Sequence, residues 1–254
     1  SRTRMISFTD AQLINLVAGV LLPLFRIIGL FTAAPVLSQR STPARVRVGL
    51  AFFTTIIAVP SVPTPEVSLD LSLFPLVLHE VAVGLALGFA ARLIFAAFEI
   101  AGETIGLQMG LSFAGFFDPQ SGAANPVSRT MNMIALTAFV MLNGPGLLVA
   151  AVVASFQTIP IDTSFAWIAS ASPTTLGTAV FSLALSIALP FMMLLLFVNL
   201  ALGIMSRVAP QFSVFAVGFP LTIGVGMTLL TFTTPMMDSA IDVAMGLLAG
   251  AMPG

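Results

Sequence analysis

Residues Leu76–Phe98 read LVLHEVAVGLALGFAARLIFAAF, twenty-three residues in which only His79, Glu80 and Arg92 can carry a charge. At about 1.5 Å of rise per residue, such a run spans the roughly 30 Å of a bilayer's hydrocarbon core as a helix. A membrane strand would need about ten residues in strict alternation, and no alternation is present. Backbone groups in lipid must be bonded internally, which also selects the helix.

The same pattern recurs on both sides. Apolar stretches cover Leu13–Ala34, Val48–Val62, Met131–Phe156, Leu176–Met205 and Phe212–Phe232, so with Leu76–Phe98 there are six. The expectation is an all-α membrane protein of about six long helices, kinked and hairpin-like, in a single membrane domain over 1–254. Val48–Val62 is short for a full crossing, and Leu176–Met205 is long enough to need tilt or a kink at Pro190. Pro145 and Pro220 also interrupt apolar runs, and Asn143-Gly144-Pro145-Gly146 marks a break in the fourth. Arg2 and Arg4 precede the first run, which lacks a small-residue cleavage site in the right place and reads as a mature span.

Composition agrees. Hydrophobic residues make up 58% of the 254 and charged residues 7%, with a mean hydropathy of +1.09. A soluble domain carries about 25% charged residues, so most of this exterior must meet lipid or apolar protein. Net charge is −1 with no basic block, which removes nucleic acid as a partner. There is no lysine and no cysteine, and His79 is the only histidine. Zinc needs three or four ligands, thiolate chemistry needs cysteine, and a phosphate-binding loop needs its lysine. No catalytic, cofactor-binding or metal-binding constellation remains, so the chain reads as a non-enzyme. His79 and Glu80 read as interfacial residues at a membrane boundary.

Arginines near Arg45, Arg129 and Arg207 mark cytoplasmic loops by the positive-inside rule, and Glu66, Asp70 and Asp162 mark external ones. Six spans then place both ends outside. Charges at membrane depth are costly and rarely unpaired, so Arg26, Arg92, Glu99, Glu103 and Arg207 are candidate buried polar or assembly residues. Arg92, Glu99 and Glu103 fall within about 20° of one line on a helix, and two carboxylates four apart repel unless a cation answers them. The stripe is expected to face protein, as a salt-bridge site or an ion relay.

The 106–126 region is unlike the rest. Gly106, Gly110, Gly115 and Gly122, followed by Pro119 and Pro126, should break regular helix. Yet Leu107, Met109, Leu111, Phe113, Phe116 and Phe117 keep the region apolar. An apolar loop must pack into protein or line a cavity, which makes this segment a candidate gate.

Three stretches together resemble the FliR family of flagellar type III export-gate subunits and its injectisome counterparts. They are Arg26–Leu37 with Pro43–Ala51, the loop Gly106–Pro119, and Gly203–Thr222 with Pro210, Gln211, Phe215, Gly218 and Pro220. The resemblance implies a non-enzymatic subunit of the bacterial inner membrane at the flagellar basal body, its core displaced toward the periplasm and its final topology free to differ from that of insertion. It implies assembly with FliP-like and FliQ-like subunits and an FlhB-like subunit into a gate that passes unfolded flagellar proteins. By the same likeness the chain looks like a fusion, with 10–170 FliP-like and 171–254 a FliQ-like hairpin and tail. The loop from Gly110 to Gly122 would plug the pore. Phe113, Phe116 and Phe117 would seal it by dewetting, and Gly110, Gly115 and Gly122 would let it fold aside. The rival reading is a stand-alone transporter relaying ions along Arg92, Glu99 and Glu103. Paired broken helices in two related halves would favour it, and only 106–126 is strongly broken.

Overall fold

A computed structural model describes residues 10–35, 37, 42–62, 73–111, 125–170, 173–209 and 217–233. Among them the chain is helical, with no strand. The helices are α1 (Asp10–Ala33), α2 (Ala44–Ala58), α3 (Leu73–Gln108), α4 (Pro126–Met141), α5 (Gly144–Thr158), α6 (Trp167–Ser170), α7 (Pro173–Val208) and α8 (Phe219–Thr233), with a short 3₁₀ turn at Val59–Ser61. By length and apolarity α3 and α7 can each cross a membrane, and α4 with α5 pass the same test as a broken pair.

The prolines act by position. Pro126 and Pro145 open α4 and α5, where a missing N–H removes no intrahelical bond. Pro220 is the second residue of α8, which follows a π-helical turn at 217–218. Pro190 lies inside α7 and Pro23 inside α1. The fourth apolar stretch breaks as expected: Asn143 takes a left-handed φ of 57° between α4 and α5. Asparagine tolerates that conformation better than most residues. Gly106, by contrast, does not break α3, which continues to Gln108.

The chain forms two compact units. The first contains α1, α2, α3 up to Arg92, α5 and α6; the second contains α3 from Leu93, α4, α7 and α8. In the first, α1 and α3 pack backbone to backbone. A Cβ at Gly84 would collide with the Arg26 carbonyl oxygen, and one at Gly88 would stand 2.6 Å from that of Leu30. A Cβ at Gly29 would stand 2.7 Å from the Val81 carbonyl oxygen. Gly84 and Gly88 form a small-xxx-small pair of the kind that lets apolar helices approach closely. Arg47 at the start of α2 donates to the Leu37 carbonyl from Nε at 3.1 Å and Nη2 at 2.8 Å, holding α2 to the turn after α1.

In the second unit α3 repeats the device. A Cβ at Gly102 would stand 2.5 Å from Ser128 Cα, and one at Gly106 would overlap the Asn125 side chain. Gly106 is thus a close-approach site within a continuous helix, which is why it does not end α3. Phe95 and Phe139 pack edge to face at 5.3 Å in the same unit.

Candidate functional site

Two arrangements stand out, one in each unit. The first is built on Arg26, which is fully buried. Its fork grips Glu80, with Nε to Oε2 at 2.8 Å and Nη2 to Oε1 at 2.8 Å. Nη2 also donates to the Ile159 carbonyl at 2.9 Å, and Nη1 to Ser155 Oγ at 3.0 Å. Ser155 Oγ in turn donates to the Val152 carbonyl at 2.7 Å. The guanidinium lies over the Phe156 ring, 4.0 Å from its centroid. One side chain therefore ties α1 to α3, to α5 and to the end of α5.

The local reason is the glycine contact. Glu80 lies one turn before Gly84 on α3, and Gly84 lies against the Arg26 backbone, so the close approach sets the two charges in reach. The planar five-donor fork suits a bidentate carboxylate grip that lysine cannot reproduce. Removing one partner of such a pair strands the other charge in the interior.

This overturns the interfacial reading of His79 and Glu80. Both are buried, at 1% and 0% exposure. Glu80 is the counter-charge of Arg26, and His79 Nδ1 lies 3.2 Å from Glu80 Oε1. Edge-on contacts join the His79 ring to Phe165 at 5.4 Å and to Trp167 at 6.4 Å. Arg26 and Glu80 lie in the first and third apolar stretches, with Val48–Val62 between them, so no local pattern pairs the two.

The other charges are placed differently. Arg92, Glu99, Glu103 and Arg207 are exposed on this chain, and none forms an ion pair with another described residue. Arg207 lies in the last turn of α7, where a cation suits the helix dipole.

The second arrangement fixes both edges of the 112–124 segment. At its start Met109 is buried and its carbonyl accepts from Thr222 Oγ1 of α8 at 3.1 Å. Gly110 follows with φ of 79°, its backbone against the Phe219 ring. Asn199 of α7 reaches the Gln108 carbonyl at 3.5 Å. At the far edge Asn125 caps α4, its Oδ1 accepting from the Val127 N–H at 3.0 Å. Its Nδ2 reaches the Glu103 carbonyl at 3.5 Å, and Ser128 Oγ donates to that of Glu99 at 3.1 Å. The two edges are thus fastened around the end of α3 by side-chain bonds from α4, α7 and α8. Thr222, Asn199 and Asn125 were not singled out from the sequence, because a lone polar residue in an apolar run has no spacing signature.

Of the residues expected to plug a pore, Gly110 lies at the edge of this segment. Phe113, Gly115, Phe116, Phe117 and Gly122 lie outside the described residues, as do Pro210, Gln211 and Phe215. Gly218 is buried just before α8, and Pro220 is exposed within it. Among the described residues no group of three or more His, Cys, Asp or Glu could hold a metal ion.

Comparison with known proteins is consistent along most of the chain. Residues 17–249 match the family described as bacterial export proteins, family 1. The flagellar biosynthetic protein FliR of Escherichia coli (strain K12) is 42% identical over 240 residues, covering 92% of this chain and 90% of that protein. FliR of Pectobacterium carotovorum subsp. carotovorum is 38% identical over 241 residues, covering 92% and 90%. FliR of Bacillus subtilis (strain 168) is 35% identical over 229 residues, covering 86% and 87%. With its apolar helices, its glycine-packed spans and this likeness running through both units, the chain belongs to the FliR family, the bacterial export proteins of family 1.

Proposed function

We propose that the protein is the FliR-like subunit of a flagellar type III export gate in the bacterial inner membrane at the basal body, forming and sealing a pore for unfolded flagellar proteins. In this reading it makes no chemical bond and uses no cofactor. Residues 10–170 act as a FliP-like part and 171–254 as a FliQ-like hairpin and tail. Its partners are FliP-like and FliQ-like subunits, an FlhB-like subunit and the exported chains.

The observation that carries the reading is the fastening of the 112–124 segment. An apolar, glycine-rich stretch starts at a left-handed glycine and ends at the asparagine that caps α4, with side-chain bonds from three helices holding its edges. A plug needs such fixed edges with a yielding middle: the edges aim it and the glycines let it swing. Phe113, Phe116 and Phe117 supply apolar bulk of the kind that excludes water and ions from a constriction.

Deletion of Ser112–Phe117 tests the sealing role. The variant is expected to assemble, because the edge contacts are kept, and to raise ion permeability in cells or liposomes. Assembled complexes that stay at background permeability would sink that role. Native mass spectrometry of the tagged chain, gently extracted from its own cells, tests the assembly role. Recovery alone or as a homodimer would count against it, and recovery with several copies of two small hydrophobic proteins supports it.

A further inference from the structure

The Arg26 cluster contains one polar atom that its own bonds do not use. His79 is 1% exposed, its Nδ1 lies 3.2 Å from Glu80 Oε1, and its buried Nε2 has no hydrogen-bond partner. Glu80 is an acceptor gripped by the guanidinium, so Nδ1 carries the ring proton and Nε2 presents a lone pair. Phe165 and Trp167, in the stretch following α5, pack edge-on against the His79 ring.

Charge balances only while the ring is neutral, with one guanidinium against one carboxylate. A proton taken from solvent onto Nε2 leaves Nδ1–H on Glu80 and creates a second buried cation. It also turns Nε2 into a donor with no acceptor. The titratable or charged groups on the elements around the ring are Asp10 and Arg26 on α1, Glu80 on α3 with Arg92, Glu99 and Glu103 three or more turns further along it, and Asp162 in the 159–167 segment; α5 contributes none, and of these only Arg26 and Glu80 are bonded in the cluster. The helices have little room to answer, because α1 and α3 are interlocked through Gly29, Gly84 and Gly88. The 159–167 segment has that room. Pro160 and residues 162–166 are exposed, and Asp162 only caps its own turn, accepting from the Ser164 N–H at 2.6 Å.

The geometry points to a proton-operated latch: His79 takes a proton at Nε2, and the 159–167 cover opens to bring water or the Asp162 carboxylate to the imidazolium. The unprotonated ring holds the cover shut through Phe165 and Trp167. This function is separate from the plug at 112–124 and does not depend on it.

Trp167 is the only tryptophan of the chain and lies against His79. An imidazolium quenches indole fluorescence more strongly than a neutral imidazole. The measurement is the fluorescence of the detergent-extracted assembly from pH 5 to 8, taken as the difference from a Trp167→Phe assembly. A one-proton transition is expected that vanishes in His79→Gln. In parallel, collisional quenching of the half-buried Trp167 by acrylamide is followed over the same pH range in the wild-type and the His79→Gln assembly. The quenching constant is expected to rise as the pH falls through the transition in wild type and to stay level in His79→Gln. A flat difference signal, a transition that survives in His79→Gln, or a wild-type quenching constant independent of pH would each overturn the latch. Where His79→Gln fails to assemble, the wild-type difference titration decides: a flat trace rejects the latch and a one-proton transition supports it.

Discussion

Arg26 shows how much one side chain can carry in an apolar protein. It is fully buried and bonded to Glu80, Ser155 and the Ile159 carbonyl, so its loss would strand a carboxylate. Arg26→Leu is expected to destabilise the chain by about 3 kcal/mol or more, the usual cost of breaking one side of a buried pair. Arg26→Lys keeps the charge and loses the fork, so it should fall between. Pairing Arg26→Leu with Glu80→Leu should recover most of the loss. Thermal unfolding of the detergent-extracted assembly measures all three, and a double variant as weak as the single would contradict the pairing argument. Arg26 was legible in the sequence as a charge inside an apolar span. Glu80 was not, since position along one helix says how far a residue lies from the span's end and nothing about which neighbour covers it.

At the scale of the helix, α3 is organised by glycine pairs four residues apart. Gly84 and Gly88 receive α1, and Gly102 and Gly106 receive the start of α4. Gly84→Leu is expected to abolish accumulation of the protein, because the Arg26 backbone occupies the space that a side chain needs. Gly177→Ala, where a Cβ meets nothing within 4 Å, should leave the level unchanged. Immunoblots of membranes from cells carrying each variant separate the two, and equal levels would refute close packing. Gly110→Ala places a Cβ at φ of 79° and is expected to cost about 1 kcal/mol through that backbone alone. The same thermal melts read it out. The apolar runs and the Asn143 break could be read from sequence, because length, apolarity and Asn-Gly-Pro-Gly chemistry are local properties. The continuation of α3 through Gly106 could not. Glycine marks a break or a close approach equally well, and only the arrival of Asn125 distinguishes the two.

For the whole molecule, the telling feature is what it leaves uncovered. Large apolar side chains such as Phe181, Leu189, Leu196, Phe197 and Ile204 are exposed along α7, and Glu99 and Glu103 are exposed on α3. Carboxylates on an apolar span cost about 2.5–3.5 kcal/mol each at membrane depth unless a cation answers them. Glu99→Gln with Glu103→Gln is therefore expected to leave the chain folded, since neither side chain forms an ion pair with another described residue, while changing its recovery with other subunits. Co-purification against wild type is the check, and unchanged recovery would show that the stripe meets no partner. The sequence by itself determined the membrane class, the helical state, the placement of the long apolar runs and the family likeness, all of which follow from composition, length and contiguous motifs. Only the tertiary structure decided that Arg26 answers Glu80, that His79 is buried with a spare nitrogen, and that Asn125, Asn199 and Thr222 fasten the edges of the 112–124 segment. Those facts depend on residues 22 to 113 positions apart being brought within a hydrogen bond, a distance along the chain that no local pattern records.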